Sequence, residues 1–196
     1  MDDSQLDDDP AIQDVLKWAE SQDTLRSGRG GPSNDIELKF VPVSALEAEF
    51  TKPGKVESIL ETLFAGSQYS IPDAEYIRAH YLRPFVISIL VGSGRMIHHF
   101  VQHESLRDDH LPFKSEPKEF PKSSTTNIWA SFNEKQWVFC PIKFKNYMNS
   151  VIDRDEILPI TIEKDLGGGG SSTTQMISVH EGYNGLNPRV NDALVI

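Results

Sequence analysis

The sequence predicts an α+β protein: a disordered acidic N-terminus, a small helical region, then two or three antiparallel strands. Three observations carry this expectation. Val56, Ile59, Leu60, Leu63 and Phe64 recur at i, i+3, i+4, i+7 and i+8, which lines one face of an amphipathic helix. Ile157 to Ile162 and Thr173 to Val179 are β-favouring, with a glycine run between them, and that arrangement reads as strand–turn–strand. Asp2, Asp3, Asp7, Asp8 and Asp9 crowd the first nine residues, and such a block reads as a solvated, self-repelling tail.

Composition narrows the function. A chain of 196 residues buries one ordinary core or two small ones. Hydrophobic content of 38% and a mean hydropathy of −0.37 are low enough to expect some disordered length. The net charge of −10 argues against nucleic acid as a partner, because a phosphate-backbone binder needs a basic surface. The single cysteine, Cys140, excludes an internal disulfide and a zinc site built on two thiolates. Its neighbours Trp137 to Phe139 and Pro141-Ile142 make a buried, inert thiol the expectation. No apolar stretch follows a basic N-terminus, and Phe85 to Val91 is too short to span a bilayer. The chain is therefore expected to be soluble and intracellular, cytoplasmic or nuclear, without a membrane partner.

Along the chain, residues 1–35 divide into the acidic tail, a short helix and a linker. Ile12, Leu16 and Ala19 fall near helical spacing between Pro10 and Leu25, with Pro10 at a permitted first-turn position. Ser27-Gly28-Arg29-Gly30-Gly31-Pro32-Ser33-Asn34 reads as flexible. Residues 36–115 carry the helical pattern. Ile36 to Val43 alternates as a short strand. Ser44 with Glu47 three residues on predicts a capping box for a helix containing Leu46 and Phe50. Lys52-Pro53-Gly54 breaks that helix before the Val56–Phe64 stripe. Pro72 and Asp73 open a further helix from Ala74 to about Leu82, and Pro84 restarts the chain. Phe85 to Val101 reads as a buried helix in which Gly92 and Gly94 are kink points.

Residues 116–156 form a loop and an aromatic docking segment. Ile128 to Phe144 holds two tryptophans, three phenylalanines and a proline, which favours anchoring onto an apolar surface. Residues 157–196 hold the strands, with Pro159 at an edge or strand start, and Glu181 to Pro188 is turn-rich. No internal repeat is seen.

The segment Leu166-Gly167-Gly168-Gly169-Gly170-Ser171-Ser172-Thr173-Thr174 carries the functional signal. Glycines at alternate positions let a backbone fold over a triphosphate and donate N–H groups to it. Leu166, Gly167 and Gly169 supply the hydrophobic lead-in and two such glycines. Ser172 stands where a third glycine falls and Thr174 where a valine usually covers the adenine. The Gly-Lys-Ser/Thr ending of a P-loop is missing, and a strand follows instead of a Rossmann helix. A plain Gly/Ser linker is the competing reading.

A longer ordered set favours the first. Phe40-Val41-Pro42-Val43, Leu111-Pro112-Phe113, Gln136-Trp137-Val138-Phe139 and Ile157-Leu158-Pro159-Ile160 precede the glycine segment and Ile177-Ser178-Val179-His180. This set resembles the upstream region and the start of the kinase domain in filamentous-fungal protein kinase-like proteins, from about residue 38 onward. The resemblance implies an incomplete kinase N-lobe over 157–196, with Leu166, Gly167, Gly169, Ser172 and Thr174 as its ATP-phosphate loop. It also shows what departs. The third-strand lysine that holds the α/β-phosphates corresponds to Val195 within Ala193-Leu194-Val195; no lysine follows Lys164, and Arg189 in a turn is a poor substitute. Read as ending at Ile196, the chain is expected to lack the αC glutamate, catalytic loop and metal-binding aspartate. The expectation is a catalytically inactive fragment or degenerate family member, with weak or no ATP binding. ATP and Mg are cofactors only if the remaining lobe is supplied. A helical protein-interaction module without nucleotide binding is the alternative, its protein partner taken up by the helical region.

Other constellations are weaker. His99 and His103, with His98 and Glu104 nearby, share a helix face at a zinc-pair spacing, but no H-E-x-x-H pattern or third ligand follows. Asp153, Asp155 and Glu156 lack calcium-loop spacing and read as a turn. Ser70 and Asp73 read as helix-start chemistry, and Ser123 to Thr126 as an exposed loop able to accept phosphate.

Overall fold

The computed structural model describes residues 9–30, 36–122, 127–146, 152–169, 172–185 and 194–195. The acidic stretch before Asp9, Gly31 to Asn34, Ser123 to Thr126, Gly170-Ser171 and Arg189 lie outside the described residues, together with the expectations that fall on them. Among the described residues the protein is mixed α+β, with seven α-helices and small sheets that are mostly antiparallel. It divides into two compact units. The first comprises residues up to Leu25 with Val41–Phe139; the second comprises Arg26–Phe40 and the chain from Cys140 onward.

The first unit is helical. Helix α1 (Pro10–Glu20) starts with proline in its first turn, and Asp9 accepts the Ala11 N–H at 2.8 Å. Its buried stripe is Ile12, Val15 and Ala19, with Leu16 only half-buried. Helix α2 (Val43–Phe50) begins two residues earlier than expected. Pro42 is its N-cap without a side-chain bond, so the Ser44 capping box is not formed. Ser44 sits inside the first turn, where Pro42 has already set the entering backbone direction. Helix α3 (Lys55–Phe64) buries all five residues of the sequence stripe, with Gly54 at φ 75° supplying the left-handed turn before it.

Asp73 caps α4 (Ala74–His80) by accepting the Tyr76 N–H at 2.7 Å. Helix α5 (Leu82–Leu90) contains Pro84 in its first turn instead of breaking there, since the N–H that proline lacks has no partner in a helix at that position. Its start is capped from a distance: Asp108 accepts the Leu82 and Arg83 N–H groups at 3.2 and 2.9 Å. The buried helix expected over 85–101 ends at Leu90. Gly92 takes φ 66° and Ser93 N–H bonds the Ser88 carbonyl at 2.8 Å. A 3-10 turn (Gly94–Met96) and α6 (Ile97–Phe100) follow. Gly94 lies so close to Leu63 that a Cβ there would fall 2.6 Å from its Cδ2.

The aromatic segment is itself helical: α7 (Ile128–Phe139) buries Phe132, Gln136, Trp137 and Phe139. Phe132 packs against Phe100, Phe113 and Phe120 at centroid distances of 5.6, 6.1 and 5.3 Å. Gln136 is fully buried and pairs with the Phe113 backbone in both directions. Val41 N–H donates to the Val138 carbonyl at 2.9 Å. Three of the sequence elements, around Val41, Phe113 and Gln136, are thus tied together by backbone-directed bonds.

In the second unit, β1 (Arg26–Gly30) is the central strand of a sheet ordered β2-β1-β4, between β2 (Ile36–Phe40) and β4 (Ile157–Leu158). This corrects the reading of Ser27 to Gly30 as linker. A Cβ on Gly28 would lie 2.7 Å from the Leu158 carbonyl oxygen and 2.9 Å from Ile157 Cγ2. These glycines permit close strand approach, a use that composition alone does not distinguish from flexibility. His180 Nε2 donates to the Ser27 carbonyl at 2.9 Å, and Phe40 packs edge-on against His180 and Tyr183. A short parallel pair joins β3 (Phe144–Lys145) to β7 (Asn184–Gly185). The remaining sheet is antiparallel, ordered β5-β6-β8, from β5 (Ile160–Gly169), β6 (Ser172–Val179) and β8 (Leu194–Val195).

Candidate functional site

The glycine segment lies on the β5–β6 hairpin. Gly167 faces Thr174, Gly168 faces Thr173 and Gly169 faces Ser172 in register, so these three glycines extend strand β5, where the sequence predicts them in the turn between two strands. The five residues singled out from sequence are brought together along one end of this hairpin. At the other end Leu158, Ile160 and Ile177 form a buried cluster, flanked by Ile142, Phe144, Ile152, Ile162 and Val179. From Glu163 to Gly168 the strand is exposed, and Leu166 is 46% exposed. The hairpin is therefore anchored by its apolar base while Glu163 to Gly168 stand in solvent.

Two register shifts, between Ile162 and Lys164 and between Asp165 and Gly167, interrupt the ladder. The second is explained by local chemistry. Gly167 adopts φ 93°, and its N–H donates to Asp165 Oδ1 at 2.9 Å. An aspartate bonding the backbone two residues on makes a turn of its own, and glycine takes the positive φ without steric cost. The consequence for phosphate chemistry is direct. The Gly167 N–H, one of the donors a phosphate loop would offer, is already used by a carboxylate. That carboxylate adds negative charge at the base of the loop, where a triphosphate would need positive charge. Sequence reasoning missed Asp165, although the spacing Asp165-Leu166-Gly167 carried the signal.

Strand β8 pairs with β6 so that Val195 faces Met176 and Leu194 faces Ile177. The nearest lysine in sequence is Lys164, on β5, and no lysine follows it.

The other constellations resolve as local structure. His99 and His103 do come together, with ring centroids 4.6 Å apart, and His99 Nε2 donates to the Glu119 carbonyl at 2.6 Å. No group of three side chains arranged to hold a metal occurs among the described residues. Asp153 and Glu156 close a turn through Asp153 N–H to Glu156 Oε2 at 2.8 Å and Glu156 N–H to the Asp153 carbonyl at 3.1 Å. Cys140, the single cysteine of the chain, is buried. Among the described residues no helix is long and apolar enough to cross a membrane.

No protein-family model, curated protein or solved structure matches this chain.

Proposed function

We propose that this chain is a catalytically inactive, protein kinase-like polypeptide, in which the β5-β6-β8 sheet is the opening of an N-lobe and the helical unit is an interaction module. The observation that carries the reading is the pairing of Val195 with Met176 in the third strand of an antiparallel sheet whose first hairpin bears the glycine segment. An N-lobe is built in this strand order, and its third strand supplies the lysine for the α/β-phosphates. Valine there provides neither charge nor donor. The Asp165–Gly167 bond supports the same conclusion from the loop side. Neither an H-R-D nor a D-F-G triplet occurs in these 196 residues, so on their own they hold no base and no metal ligands for phosphoryl transfer.

Titrating the full chain with Mg·ATP while following thermal unfolding tests this directly. The proposal expects no saturable shift that depends on Gly167. Replacing Val195 by lysine and Asp165 by serine together is expected to raise nucleotide affinity, if the strands are what we propose.

A helical interaction role without any kinase relationship is the second reading. It draws on Tyr69 and Ile71, which stand 50% and 52% exposed between α3 and α4. The net charge of −10 favours a protein partner over nucleic acid in either case.

A further inference from the structure

We draw no further inference here: the strongest candidate, the apolar surface that Tyr69 and Ile71 expose on the connection between α3 and α4, carries nothing, because nothing in the structure shows what covers it.

Discussion

Gln136 and Phe113 are bonded to each other twice. Gln136 Oε1 accepts the Phe113 N–H at 2.8 Å, and Gln136 Nε2 donates to the Phe113 carbonyl at 3.0 Å while also reaching Asn133 Oδ1 at 2.7 Å. The glutamine is fully buried, so its amide replaces the strand partner that Phe113 lacks. A polar side chain in an aromatic core is retained here because it satisfies backbone groups that water does not reach.

Replacing Gln136 by leucine keeps the volume and removes both bonds. The Phe113 N–H and C=O would be left without their side-chain partner inside the core, at a cost of about 3 kcal/mol. Urea denaturation should show the midpoint falling by a corresponding amount. A loss no larger than that of an exposed substitution such as Glu134→Gln would contradict the role assigned to the pair.

Gly28 offers a contrasting test. A methyl group there meets the Leu158 carbonyl oxygen, which is backbone and has little freedom to move. Gly28→Ala should destabilise the second unit by about 1–3 kcal/mol. Hydrogen exchange of the β1 amides should accelerate, while protection in α3 stays as it was. Were Gly28 only a linker residue, alanine would be neutral.

Asp108 acts across 26 residues of sequence as the cap of α5. Asp108→Ala removes the acceptor of the Leu82 and Arg83 N–H groups and should cost about 1–2 kcal/mol, read as faster exchange at the start of α5. Burial pushes the Asp108 carboxyl above its ordinary range, while Arg83 and the two backbone N–H groups oppose that shift. Because the folded value is raised, its contribution to stability is present below the ordinary carboxylate range and is lost as pH rises through the raised value.

Glu57 responds to pH in the opposite sense. Arg78 grips it through two bonds, at 3.0 and 2.7 Å, and this hydrogen bonding holds its carboxyl down to about 2. A depressed carboxylate stabilises the fold above its ordinary value of 4.5 and loses that contribution as pH falls toward about 2. The Glu57 side chain is 43% exposed, so screening keeps the effect small. Glu57→Gln should flatten the stability profile between those limits and change little at pH 7 relative to its own acid value. An unchanged slope in that window would contradict the pairing.

The elements that were legible in the sequence are those whose signal is local. The Val56–Phe64 stripe repeats at the helical period, Asp73 stands directly before the helix it caps, and the glycine segment sits between two β-favouring runs. Helix α7 was not legible, because Gln136 occupies a core position that an apolar residue would mark and its aromatic residues do not fall on one stripe. Strand β1 was hidden because Gly28 and Gly30 allow tight packing yet resemble linker glycines in composition. Asp108 as a cap depends on contacts between distant segments that leave no spacing pattern. At the glycine hairpin Gly167 to Gly169 pair with Ser172 to Thr174 as continuous strand, and the Asp165 bond to Gly167 was overlooked.

The most direct measurement for the central claim is calorimetric titration of the full chain with Mg·ATP, in parallel with its Gly167→Val variant. The account predicts no saturable binding that Gly167→Val abolishes. Saturable binding to the unaltered chain that is lost in Gly167→Val would contradict it, and would make the hairpin a working nucleotide site.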